Sequence, residues 1–417
     1  MSRTATVADN PAVTISAGPA SGGAHEGDHE NMNMQSSTTD GRAPARLRVL
    51  WPVLAGAAWL AAVVWVATQI GVNGVAAGVP LSVLLAVPMV GVFLWLDRWE
   101  REQPSRLASA FVWGASFAAL SSIWSQEWLQ SFFDAAVGTD FTVWFRPLVI
   151  TPVTEEVFKG LFLVWLLVYR RRQITGLLDG IVYGALVGAG FAFTEQILYL
   201  GRTIVTFVAS DPSDDSAVVT LVLSFVLRMV MVPFFHSFLV AIFGLGAAAA
   251  AGRHSRAARF WLASAGLLVA IVLHGVWDWA GLAGADPFLL FKIYGVVMMP
   301  LFSAMVVLAI VLRHREGKAI TAALPGLARD GHIAEHEVAT LANLGQRRRW
   351  RRDVRRRSGR AAARAAGRYQ AEASALAIRT TRAERSGRRD GLDEQARLVA
   401  HARASSLAQG GTPRSSR

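Results

Sequence analysis

Residues 151–169 read TPVTEEVFKGLFLVWLLVY, and three arginines follow at 170–172. Two adjacent carboxylates, Glu155 and Glu156, and the ammonium of Lys159 head an apolar run long enough to cross a bilayer. Charges placed in lipid are costly unless they face a cavity or one another. The rest of the chain settles which solvent surrounds this stretch. Of 417 residues, 53% are hydrophobic and only 17% charged, and the mean hydropathy is +0.36. That is the composition of an all-α, polytopic membrane protein. The chain has no cysteine, which excludes disulfides, thiolate metal sites and a cysteine nucleophile.

About eight spans of roughly twenty residues are expected, near 48–70, 76–96, 107–124, 147–169, 176–198, 223–250, 259–281 and 289–312. The connections at 97–106, 169–175, 251–259 and 313–318 are basic. Those at 69–73, 125–140, 209–216 and 284–287 are poor in Lys and Arg. This alternation predicts both termini on the cytoplasmic side of the cell membrane. Residues 1–45, rich in Gly, Ser, Thr and Asn, read as a disordered tail with no cleavable signal. Residues 46–315 read as the membrane domain, and 316–417 as a flexible basic tail. From residue 313 onward there are 24 Lys or Arg against 10 Asp or Glu, so the net charge of the whole chain resides there. Residues 324–350 have apolar positions at helical spacing, which suggests a short amphipathic helix. The basic block at 347–360 suits anionic lipid; it lacks interleaved aromatics, which argues against nucleic acid.

Besides Arg48, Asp179, Arg228, Arg259 and Lys292 in the first residues of their spans, the ionisable residues inside the expected spans are few: Glu155, Glu156 and Lys159, then Glu195, His236, His274 and Asp278. Counted from the basic flanks at ~1.5 Å per residue, Glu155, Glu195, His236 and His274 all lie roughly 22–28 Å above the cytoplasmic side. Independent ion pairs have no reason to share a depth, whereas one polar site built from four helices does. Glu155 and Lys159 share a helix face, as do His274 and Asp278. One carboxylate of the pair would do chemistry and the other orient a neighbour. Carboxylates crowded with a lysine and histidines serve acid/base work. Glu195, His236 and His274 also form a set that would suit Zn2+.

Other readings compete. Glu155 with Lys159 has a less favoured reading as a structural ion pair; a single membrane histidine also reads as a helix–helix hydrogen bond, Asp278 beside Trp277 and Trp279 as part of an aromatic belt, and Arg228 as a snorkelling side chain. A proton-coupled transporter would use the same Glu and His groups, and an inactive scaffold would keep the groove without the chemistry. H-E-x-x-H occurs once, at His25–His29 in the expected disordered tail rather than on a span helix, and G-x-S-x-G does not occur.

Taken in order, the motifs resemble a known family. Glu155-Glu156-Val-Phe-Lys159 is similar to the E-E-x-x-K motif of the PrsW intramembrane proteases, and Phe191-Ala-Phe-Thr-Glu195 to their F-x-x-x-E motif. His236 follows an Arg228…Pro233 lead, and His274 stands in HGVWDW. More distantly the chain resembles the CAAX prenyl proteases. Relative to that pattern Lys159 comes one residue earlier than the expected arginine, Glu195 replaces a histidine and Asp278 an asparagine. The PrsW resemblance implies an intramembrane endopeptidase, metal-assisted or glutamate-dependent. Its substrate would be a membrane-anchored protein such as an anti-sigma factor in stress signalling. The residues implied are Glu155, Glu156, Lys159, Glu195, His236, His274 and Asp278, with Glu195, His236 and His274 around any metal.

The charge alternation has a direct test. Reporter fusions at residue 135 and at the C-terminus should report opposite sides of the membrane; the same side for both would refute the expected topology.

Overall fold

The computed structural model describes residues 45–211, 213, 215–282, 286, 288–387 and 391–411. The expected disordered tail lies outside them apart from Ala45. Contacts divide the chain into residues 1–48 and residues 49–417; the second unit is described below. Its described residues are helical, with no strand among them. The helices are α1 (Ala45–Leu96), α2 (Pro104–Trp113), α3 (Ala119–Val137), α4 (Thr139–Phe145), α5 (Thr151–Tyr169), α6 (Leu177–Ala209) and α7 (Asp215–Phe225). They continue with α8 (Phe235–Ala251), α9 (Arg256–Leu282), α10 (Leu289–Ile293), α11 (Met299–Arg329), α12 (Glu335–Leu341), α13 (Leu344–Ser386) and α14 (Leu392–Ala408). Widened π-type turns join α2 to α3, α4 to α5 and α10 to α11, and another extends α7 over Val226–Met231.

Among the described residues six helical stretches are long and apolar enough to cross a membrane: Leu50–Leu96, Pro104–Val137, Leu177–Ala209, Asp215–Ala251, Arg256–Leu282 and Leu289–Arg329. The chain is a multi-pass membrane protein. Two of the eight expected spans share α1, whose helical geometry breaks at Gly71 (φ 71°), a conformation that suits glycine. Trp51 stacks on Trp113 and Phe117, while Met89, Phe93 and Leu96 pack with Leu107 and Ala110. Both ends of α1 therefore lie along α2, and the helix doubles back at Gly71. The expected span 147–169 coincides with α5, which is set apart from the six by Glu155, Glu156 and Lys159.

Helix α6 organises the membrane part and is buried along most of its length. A Cβ on Gly180, Gly184 or Gly188 would fall 2.1–2.4 Å from a backbone carbonyl oxygen of α8. The four-residue repeat of a missing side chain brings the two backbones together, as in membrane helix pairs where lipid supplies no hydrophobic drive. Leu60, Val87, Val222, Trp261, Val272 and Val307 are exposed, an apolar exterior suited to lipid.

Three expectations change. The connection at 125–140 is helical as far as Val137 and ends at Gly138 (φ 91°), because no Gly or Pro interrupts it earlier. The connection at 313–318 lies within α11. The flexible basic tail with one short helix is instead, as far as Gly411, a helical bundle with its own core. Ile320, Leu324, Leu341, Trp350, Val354, Tyr369, Leu376 and Val399 are buried together in it. Inside α13, Gly359 (φ 84°) breaks the helix. Arg347 then meets Ser374, Arg351 meets Gln370 and Trp350 meets Tyr369, so α13 is a hairpin of two antiparallel arms. The apolar positions are hidden among arginines, which lower the average hydropathy of the segment.

The bundle rests on the segment between α1 and α2. Arg347 donates to the Trp99 carbonyl oxygen, and a Cβ at Gly317 would fall 2.7 Å from the Trp99 ring. Arg313 stacks over Trp95, and Thr175 Oγ1 donates to Glu100 at 3.0 Å. Three of the four basic segments, around 97–103, 170–176 and 313, therefore meet at one end of the helices. Burial raises the Asp97 carboxyl to about 8, and burial with the nearby Asp179 charge raises Glu100 to about 8. In the unfolded chain both titrate near 4.

Two outcomes follow. Gly184→Val should destabilise the protein by about 1–3 kcal/mol through overpacking against the α8 backbone, read as a lower melting temperature in detergent. Because folding raises the pKa of Asp97 and Glu100, the folded state holds more protons than the unfolded one between pH ~4 and ~8. Their burial therefore costs least at low pH, and melting temperature should fall as pH rises through this window. Asp97→Asn with Glu100→Gln should flatten that slope; an unchanged slope would refute the assignment.

Candidate active site

The π-type turn over Arg146–Ile150 leads into α5, where spacings of three and four residues put both glutamates within reach of Lys159. Lys159 is fully buried. Its Nζ lies 3.1 Å from Glu155 Oε2, 2.8 Å from Glu156 Oε1 and 2.9 Å from His236 Nδ1. An ammonium has three protons to donate, and all three are used. Its open face lies 3.9 Å from the centre of the Phe191 ring, a cation–π contact.

His236 enters from α8, where the chain breaks after α7. Val232 leaves helical geometry (φ −122°, ψ 32°), and Pro233 supplies no N–H to continue it. The break leaves His236 as the second residue of the new helix. Because Nδ1 accepts from Lys159, the imidazole proton sits on Nε2, which lies against Glu195 Oε2. Glu195 also pairs with Arg228 at 3.6 Å, and Arg228 covers the Tyr199 ring at 3.4 Å. Arg228 is thus part of the site's charge network, a correction to the snorkelling reading.

His274, from α9, completes the cluster. Its Nδ1 lies 2.9 Å from Glu156 Oε1. A carboxylate only accepts, so Nδ1 donates; in the neutral ring Nε2 then keeps a free lone pair, and in the charged ring it carries a second proton. Nε2 is 3.9 Å from Glu155 Oε2 and 3.6 Å from Asp278 Oδ2. These gaps exceed hydrogen-bond length, so neither carboxylate is bonded directly to Nε2. Asp278 is more than an aromatic-belt residue, since its carboxylate lies beside His274.

All seven residues singled out from sequence meet in one network. It is packed rather than hollow: Glu156 is 1% exposed and Lys159 0%. The side chains of Glu195 and Asp278 are 18% and 23% exposed, so the network opens to the protein surface on their side. One partner escaped the sequence reading. Gln126 of α3 donates from Nε2 to Glu155 Oε1 at 3.3 Å and accepts from Thr151. It falls in a segment expected to be a loop; the signal was a polar residue between Trp124 and Trp128 on a helix not yet recognised.

The network carries four carboxylates, Glu155, Glu156, Glu195 and Asp278, against the fixed cations Lys159 and Arg228. Two negative charges remain for protons or for a divalent cation. Among the described residues, Glu155, His236 and His274 are the group whose ligand atoms all lie within 4.8 Å of one another. The donor set and the residual charge fit a divalent metal such as zinc. Glu156 would hold His274 in the orientation familiar from carboxylate–histidine–metal arrangements. This differs from the expected set in one member: Glu155 takes the position given to Glu195, because Glu195 is committed to His236 Nε2 and Arg228.

Residues 102–305 match the PrsW family of intramembrane metalloproteases. No curated protein and no solved structure matches the chain. The matched segment contains every one of the seven clustered residues, and by it the membrane part of this chain belongs to the PrsW family, a family of intramembrane proteases.

Proposed function

We propose that this chain hydrolyses a peptide bond in a membrane-anchored protein, with Glu155 as general base. The observation that carries the reading is the convergence of Glu155 Oε2 and His274 Nε2, 3.9 Å apart, beside a fully buried lysine. One water hydrogen-bonded to both would be poised to attack a substrate carbonyl carbon. Glu155 takes its proton and delivers it to the departing amine as the C–N bond breaks. Lys159 keeps the Glu155 carboxylate aimed, and Glu156 fixes both Lys159 and His274. Gln126 holds the other Glu155 oxygen. A transmembrane substrate helix must unwind to offer its carbonyl, which lipid alone does not permit; the exposed edge at Glu195 and Asp278 is where an extended segment would enter.

When bound, a metal held by Glu155, His236 and His274 would supply a polarised water at neutral pH. Metal binding and Lys159 compete for the same His236 nitrogen, so the two versions of the mechanism differ in the position of Lys159. The family resemblance makes a single-span signalling protein, an anti-sigma factor for example, the substrate class to try first. Residues 46–315 would be the protease domain, in the cell membrane, with both termini cytoplasmic. The meeting of three basic segments at one end supports that orientation.

Glu155→Gln keeps shape and the Gln126 contact but removes the base. It should lower cleavage of a tagged single-span substrate by ~10²–10⁴ while leaving the protein inserted and folded. A fully active Glu155→Gln enzyme, purified, would end this mechanism. Metal analysis of the same preparation separates the two versions: a stoichiometric divalent ion, lost together with activity in the His274→Ala variant, supports the metal-assisted one. A metal-free, active preparation supports the glutamate-only one.

A further inference from the structure

The hairpin of α13 encloses an open cavity of about 940 Å³. Arginines line it, among them Arg348, Arg351, Arg352, Arg355, Arg360 and Arg364, and no acidic or aromatic side chain does so among the described residues. None of these six has a carboxylate partner among the described residues. Arg351 is held by Gln370, and Arg348 reaches only the Leu344 carbonyl. The cavity exists because Gly359 reverses the helix and turns arginines of both arms toward one space. A smaller cleft beside it adds Arg98 and Arg101, two and five residues after the last apolar position of α1. Burial depresses the Arg351 guanidinium, and the charges of Arg101, Arg348 and Arg98 act in the same direction.

Like charges held together by a folded hairpin repel one another, and an anion would relieve that repulsion. The guanidinium fork matches phosphate oxygens two at a time. Without an aromatic platform the cavity has nothing on which to stack a base, which disfavours nucleic acid. We propose that this arginine cavity binds a multivalent phosphate group and thereby clamps the helical bundle to the 97–103 segment of the membrane part. The inference is independent of the catalytic reading. Its position just beyond the apolar end of α1 admits a phosphate from a lipid headgroup as readily as from a soluble molecule.

The test uses full-length protein in nanodiscs and tripolyphosphate as probe, with sodium chloride at matched ionic strength as control. In phosphatidylcholine nanodiscs, tripolyphosphate should bind in a calorimetric titration and raise the melting temperature. The triple variant Arg352→Gln, Arg355→Gln, Arg364→Gln, all at exposed positions, should bind at least about tenfold more weakly, a difference of ~1.4 kcal/mol. Should that variant melt early without ligand, Arg355→Lys keeps the charge, loses the fork and should still weaken binding. In nanodiscs containing phosphatidylglycerol, loss of tripolyphosphate binding in the wild type identifies the lipid headgroup as the natural source, and unchanged binding identifies a soluble phosphate. No binding in phosphatidylcholine nanodiscs, or equal binding by wild type and variants, would overturn the proposal. So would tighter binding of an RNA oligonucleotide than of tripolyphosphate.

Discussion

A buried ammonium with no water to turn to must find three acceptors, and Lys159 finds them on two helices. Glu155 and Glu156 come from its own turn, and His236 comes from α8. Removing any one leaves a buried ammonium proton without its acceptor, which is costly. The rest of the membrane part is arranged so that this meeting can occur. A Cβ at Gly160, one residue beyond the lysine, would fall 2.4 Å from the Phe243 ring, so α5 lies tight against α8. The glycines of α6 then let α8 approach closely enough for His236 to reach both Lys159 and Glu195. The geometry of the polar cluster and helix packing are here one requirement.

The two clusters of ionisable groups sit far apart. Asp179 begins α6 beside Glu100, and Glu195 lies sixteen residues later, about 24 Å along the helix. Between them α6 presents only Gly, Ala, Val, Leu, Ile, Phe, Tyr and Thr. A proton relay through the membrane would need intermediate stations, and this helix offers no ionisable ones beyond the tyrosine. That favours local chemistry at one depth over transport across the bilayer.

The site was legible because charge is conspicuous in an apolar span: Glu155, Glu195, His236 and His274 announced themselves by depth before any coordinates existed. Their division of labour was less legible. Glu155 rather than Glu195 converges with the histidines, and that depends on which helix face α6 turns toward α8. Gln126 stayed hidden because an amide between tryptophans looks like a loop when no span is expected there. The C-terminal bundle was read as a tail for the opposite reason. Its buried Trp350, Val354, Tyr369 and Leu376 are spaced as a helix face requires, yet the surrounding arginines dominate any average taken over the segment. The single residue that makes it a hairpin, Gly359, sits in Ser-Gly-Arg and carries no other mark.

Helix α11 carries one further implication. It runs without interruption from the membrane part into the bundle. Near its start Phe302 packs on Phe234 and Phe238, the residues flanking Phe235 and His236; just past its middle Gly317 is pressed to Trp99. The two contacts are fifteen residues apart, about 22 Å on one stiff rod. A tilt of a few degrees at the bundle would shift Phe302 by roughly an ångström, against the very corner that aims the imidazole. The rod thus joins the Trp99 contact and the Phe302 contact as one rigid element, so neither can be displaced independently of the other.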